Sequence, residues 1–223
     1  MSDVRQETPD KAGEDTVERY RYALDWQEAF ALRRWWQRLT LEPGELRKVT
    51  DAPAYPRGVR AALRRCESVN SVLLTEAFRH LWFSLESQAW DGAQANVLGK
   101  KRDQRLETWA TIAAVVCELR GEAFGVPLGR RLGESKPGTD TPRMSDLRFQ
   151  QLLDCHEPPE LIRRSRRALK LAGNEGVSVV CLADSVALWW REQRGSYRPE
   201  ATQRLAFILS NDYFGAHLPG ASD

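Results

Sequence analysis

Apolar residues in this chain recur at three- and four-residue intervals almost throughout, and no segment alternates convincingly between apolar and polar. That spacing follows the 3.6-residue turn of a helix and not the two-residue pleat of a strand. It confines the 223 residues to an all-α fold. Between 18 and 39, Tyr20, Ala23, Leu24, Trp26 and Phe30 fall on one side of a run rich in helix formers. Further helices are expected over 58–67, 73–90, 102–118, 146–153, 158–172, 177–191 and 199–214. The span 39–58 holds three prolines and two glycines and reads as a loop around at most one short helix. Residues 91–101 read as a loop, and the glycine-rich 121–133 as irregular with one short helix. The run VSVVCL at 177–182 is short enough to suit either a strand or a helix.

Local signals divide the chain. ESKPGTDTPRM at 134–144 is the best linker, and Ser145 is placed to cap the next helix by accepting a backbone N–H bond. Pro158 and Pro159 suit a first helical turn, while Gly173 and Gly176 suit a helix end. The expected organisation is two small helical bundles: an acidic tail at 1–17, a first bundle at 18–133, a linker at 134–145 and a second bundle at 146–223.

Composition narrows the class. Hydrophobic residues make up 42% of the chain, enough for a sizeable core, and charged residues 29%. No apolar run reaches membrane-spanning length, and the first sixteen residues lack the apolar centre of a signal peptide. Cys66, Cys117, Cys155 and Cys181 are far apart with no C-x-x-C pair, which speaks against a disulfide framework or a zinc site. They read as core thiols of a cytoplasmic protein.

Charge is uneven. Residues 1–18 hold six acids and two bases, a net of −4 against +2 for the whole chain, so the remainder carries +6. The tail reads as a solubilising leader. In LIRRSRRALKLA, 161–172, the face of Leu161, Ile162, Ser165, Ala168, Leu169 and Ala172 is apolar or small. The other face carries Arg163, Arg164, Arg166, Arg167 and Lys170 without an acid. Like charges on one helix repel, so something negative belongs opposite them. That is either acids elsewhere in the fold or a polyanion such as nucleic acid, whose phosphates suit the forked guanidinium.

Catalytic patterns are missing from the sequence. There is no H-x-x-x-H, no D-x-D, no P-loop and no dinucleotide fingerprint. His80 is expected to be a half-buried packing residue, and the Cys155–His156 adjacency does not make a nucleophile–base pair. In the pairs Trp35–Trp36 and Trp189–Trp190, one indole is expected in the core and its neighbour at an edge or a partner, since adjacent residues point about 100° apart. Stacking on bases is a further use for such rings.

A series of motifs then carries a family resemblance: GVRAALRRCESVNSVLLTEAFRHLW at 58–82, PLGRRLGE at 127–134, RMSDLRFQQLLDC at 143–155, LIRRSRRAL at 161–169, CLADSVALWW at 181–190 and NDYF at 211–214. In order and spacing it resembles the CasB-type small subunit of the type I-E CRISPR surveillance complex, Cascade. The resemblance covers roughly 20–215, while the acidic tail and the proline-rich 40–57 depart from shorter members. It implies a non-catalytic, all-helical subunit of antiviral defence with no metal and no cofactor. It also implies assembly with other Cascade subunits and a second copy of itself, and contact with CRISPR RNA, target DNA and the displaced non-target strand. Matched motif by motif, it points to Arg64, Arg65, Arg130, Arg131, Arg143, Arg148, Arg163, Arg166 and Arg167 as phosphate clamps. Acids such as Asp146 or Glu160 are alternative partners for one member of each arginine pair. The residues alone also leave open a protein–protein adaptor, a nuclease with fold-assembled carboxylates, and a helix-turn-helix regulator, the last poor in amides for reading adenine.

Overall fold

The computed structural model describes residues 22–89, 98–195 and 197–217, so the acidic tail at 1–17 and residues 91–97 of the loop expected over 91–101 lie outside the described residues, while 98–101 are helical and not loop. Eleven α-helices are present among these: α1 Trp26–Thr40, α2 Pro43–Leu46, α3 Arg57–Arg65, α4 Val69–Leu73, α5 Glu76–Ala89, α6 Leu98–Val116, α7 Leu128–Gly133, α8 Asp146–Leu153, α9 Pro158–Leu171, α10 Val179–Gln193 and α11 Leu205–His217. A 3-10 turn at Ala201–Gln203 precedes α11. The described residues contain two isolated β-bridges and no strand, as the helical periodicity requires.

The centre is α6. Its segment from Trp109 to Val116 is buried on every side, and a helix apolar all round must be enclosed. Helices α3, α4 and α5 pack on it from the first half, and α9 and α10 from the second. Buried side chains of both halves, from Trp36 and Ile112 to Phe149, Ile162 and Leu188, therefore form one contiguous core.

Several local expectations are revised by packing. Trp35 and Trp36 are both buried, because α1 is gripped by α3, α5 and α10 together. Their indole N–H groups donate to the Ala77 carbonyl at 2.8 Å and the Leu119 carbonyl at 3.2 Å. The second pair does divide: Trp189 is buried and Trp190 half-buried. His80 is exposed, its ring stacked on Tyr55. The helix expected over 73–90 starts after a break at Leu74–Thr75, where the Thr75 hydroxyl oxygen accepts from Phe78 N–H at 3.3 Å. Ser145 does precede α8, but its side chain makes no capping bond. VSVVCL is helical from Val179 onward.

The stretch 134–145 is a closed hairpin loop. Arg143 N–H donates to the Glu134 carbonyl at 2.9 Å, and Lys136 N–H to the Thr141 carbonyl at 2.9 Å. After it, α11 lies directly on α7 through glycines: a Cβ on Gly129 would stand 2.6 Å from the Leu209 carbonyl oxygen, and one on Gly133 would overlap the Tyr213 carbonyl. The Tyr213 hydroxyl reaches the Met144 carbonyl at 2.6 Å and Asp146 Oδ1 at 2.9 Å, which ties α11 to the start of α8.

Candidate nucleic-acid interface

Helix α9 presents two faces, as its sequence demands. Glu157 precedes it, Pro158 and Pro159 occupy its first turn, and Gly173 follows it with φ +87°, a conformation that favours glycine. Leu161, Ile162, Ser165, Ala168 and Leu169 are buried. Burying each large aliphatic chain contributes about 1.5–3 kcal/mol, so this face fixes the helix rotation. Arg163, Arg167 and Lys170, spaced four and three residues apart, are then exposed together on the opposite side.

These three cations meet Arg148, exposed on the neighbouring α8. With Arg164, Gln151, Met144, Leu152 and Leu171 they line an open groove of about 500 Å³ between α8 and α9. No carboxylate lines it. Arg148, Arg163, Arg167 and Lys170 have no ion pair among the described residues, whereas Arg164 is held by Glu160 at 2.6 Å and by the Gln151 carbonyl. Four uncompensated cations around one concave surface repel one another, and a bound anion would relieve that repulsion. Phosphate oxygens fit the groove, since guanidinium forks donate two parallel bonds.

The other sequence-derived arginines are elsewhere. Arg166 points inward, with a side chain only 12% exposed. Its Nε donates to the Ala114 carbonyl at 2.9 Å, Nη1 to those of Arg64 at 3.1 Å and Cys66 at 2.7 Å, and Nη2 to that of Leu63 at 3.0 Å. Four carbonyls at the ends of α3 and α6 are satisfied by one cation, which also complements both helix dipoles. Those donors are thus taken up inside the fold, and Arg166 does not line the groove. Arg64 is committed in a similar way, 2.9 Å from Glu118 Oε2, and the Glu118 residue is 3% exposed. Arg131 pairs with Glu134 at 2.6 Å, and Arg143 approaches the same oxygen at 3.8 Å. Arg65 and Arg130 are exposed without an ion pair among the described residues, and neither lines the groove.

The sequence places Lys170 on the charged face of α9 but does not single it out among the clamps, although it lines the groove, and it gives no sign that Arg60 is structural. Arg60 donates to the carbonyls of Cys117 at 2.9 Å and Leu119 at 2.6 Å, and burial lowers its pKa. A signal for Arg166 was present: it lies four residues after Ile162 and three before Leu169, on the edge of the buried stripe.

The described residues bring together no group of three or more His, Cys, Asp or Glu able to hold a metal ion. No described helix is long and apolar enough to cross a membrane. Burial raises the thiol pKa of Cys117 to about 12, and of Cys155 and Cys181 to about 11.

The described residues thus form a helical protein with an acid-free cationic groove between two helices. The family profile of the CRISPR-associated protein Cse2 matches residues 59–214, and the chain belongs to that family, the Cse2/CasB subunits of type I-E Cascade. The matched span starts in α3 and ends in α11, so it includes both the groove and the Arg166 anchor. No curated protein and no solved structure matches the chain. Family membership makes it a subunit of the CRISPR surveillance complex, with other Cascade subunits as its partners.

Proposed function

We propose that this subunit is a non-catalytic clamp on nucleic-acid backbone within Cascade. It holds the guide RNA–target DNA duplex and the displaced strand, and two copies assemble head to tail in the complex. The observation that carries this reading is the α8–α9 groove, where Arg148, Arg163, Arg167 and Lys170 converge with no carboxylate beside them. In RNA-guided recognition base pairing reads the sequence, while protein binds shape and phosphate. The exchange of DNA duplex for heteroduplex is nearly balanced, so a few phosphate contacts suffice to tip it. Each contact also releases counterions, which makes the clamp salt-dependent.

The test is R-loop lifetime on a matched target, measured with Cascade assembled from wild-type or Arg148→Ala/Arg167→Ala subunit. Shortened lifetime with normal assembly supports the clamp. Unchanged lifetime in a folded, incorporated double variant rejects it.

A further inference from the structure

Trp26, Phe30, Arg34 and Arg38 recur every four residues along α1 and form one stripe. Trp26 and Phe30 are 65% and 44% exposed, and their rings stack at 5.5 Å with planes 12° apart. The Arg34 guanidinium lies over the Phe30 ring, 5.0 Å from its centroid. A second stack stands alongside: Arg38 over Tyr55 at 4.2 Å, and Tyr55 on His80 at 5.4 Å. Between the two is an open pocket of about 200 Å³, walled by Phe30, Arg34, Arg38, Tyr55 and His80 and by no acid.

Scattered exposed apolar residues need no explanation, but stacked rings interleaved with guanidinium groups beside a ring-walled pocket do. The charges decide which occupant fits. Arg34 has no ion pair among the described residues, and its Nη1 is buried without a hydrogen-bond partner. Glu28, the acid of this helix, is already held by Arg105 at 2.9 Å. An apolar protein surface laid over the stripe would cover the guanidinium groups of Arg34 and Arg38, neither of which has an ion pair among the described residues, and leave both charges uncompensated, which is costly. A nucleotide supplies both missing parts, a flat ring for the aromatic faces and an anion for the guanidinium groups. Bases inside a duplex are already stacked and paired, so the stripe suits single strands.

We infer that α1 carries a second nucleic-acid site, which takes unpaired bases by stacking on Trp26 and in the pocket between Phe30 and Tyr55. It rests on the reading that this subunit holds nucleic acid, and adds base stacking to the phosphate contacts of the groove. None of Trp26, Phe30, Arg34 and Arg38 lies in the span matched by the family profile.

The experiment is fluorescence anisotropy with the full-length protein, using a labelled oligothymidine and a labelled duplex of equal length across a salt series. The proteins are wild type, Trp26→Ala/Phe30→Ala, the ring-preserving Trp26→Phe/Phe30→Tyr, and Arg148→Ala/Arg163→Ala/Arg167→Ala. Loss of the two rings is expected to weaken single-strand binding about tenfold or more while duplex affinity and the salt slope stay put. The ring-preserving variant restores most of the loss. Single-strand affinity within twofold of wild type in the alanine double variant overturns the inference. So does a change in self-association without a change in single-strand affinity, which assigns the stripe to a second copy. The groove variant reports separately: equal binding to wild type on both oligonucleotides removes the phosphate clamp, whatever the stripe does. Wild-type protein that binds neither removes both.

Discussion

Arg166 Nη1 donates to the carbonyl of Cys66 at 2.7 Å, across one hundred residues of sequence. Through that bond and its companions the Arg-rich helix closes the ends of α3 and α6. The next residue, Arg167, is exposed on the groove. Two adjacent arginines thus have different surroundings, and substitution separates them.

Arg166→Ala leaves carbonyls of Leu63, Arg64, Cys66 and Ala114 without this donor. It also takes the second cation from the buried Glu118, 3.6 Å away. The expected loss is about 3 kcal/mol of stability, read from urea denaturation. Arg166→Lys recovers only a part, since one ammonium cannot span the same acceptors.

Arg167→Ala is expected to change stability by less than about 0.5 kcal/mol, as for other exposed positions. Its effect lies in binding. Plotted as log affinity against log salt, duplex DNA binding should lose about 0.9 of slope for each phosphate contact removed, and Arg148→Ala/Arg167→Ala about twice that. An unchanged slope excludes these side chains from phosphate contact.

Gly133→Ala drives a methyl group into the Tyr213 carbonyl, and α11 must shift away from α7. A destabilisation of about 1–3 kcal/mol is expected. The near-ultraviolet signal of Tyr213, packed on Phe149 with ring centroids 4.1 Å apart, should fall with it.

Asp184 is 1% exposed and accepts the backbone N–H groups of Tyr22, Ala23 and Leu24 at 2.7–2.8 Å. Burial raises its pKa, while the three N–H donors and Arg191 lower it by less. A carboxyl raised on folding contributes stability that is fully present below its unfolded pKa, about 3.9, and is lost as pH rises through the folded value. Stability of wild type relative to Asp184→Asn should therefore decline from about pH 3.9 upward. A difference that grows with pH would show that the N–H donors outweigh burial. Asp184→Ala strands three donors and should cost about 1–3 kcal/mol at any pH.

All four thiols are free and buried, and for Cys117, Cys155 and Cys181 burial holds the pKa at about 11 or higher. Ellman's reagent at pH 8 should react slowly with native protein and titrate four thiols after denaturation.

The α-helical class, the end signals of α9 and the buried face from Leu161 to Leu169 were legible in the sequence, because helix periodicity and capping act between near neighbours. The basic character of α9 was legible too. Which arginines stay free was decided by tertiary structure, since it depends on distant carbonyls and carboxylates: Ala114 and Glu118 for Arg166, Glu118 for Arg64, Glu134 for Arg131. The burial of both Trp35 and Trp36 was likewise settled by three helices closing around α1. Sequence by itself determined which faces seek water and that the surface is cationic, because hydrophobic periodicity and charge are local properties. Only tertiary structure brought Arg148 beside Arg163 and Arg167 and turned Arg166 away, because the neighbours that satisfy or leave a guanidinium free come from other helices.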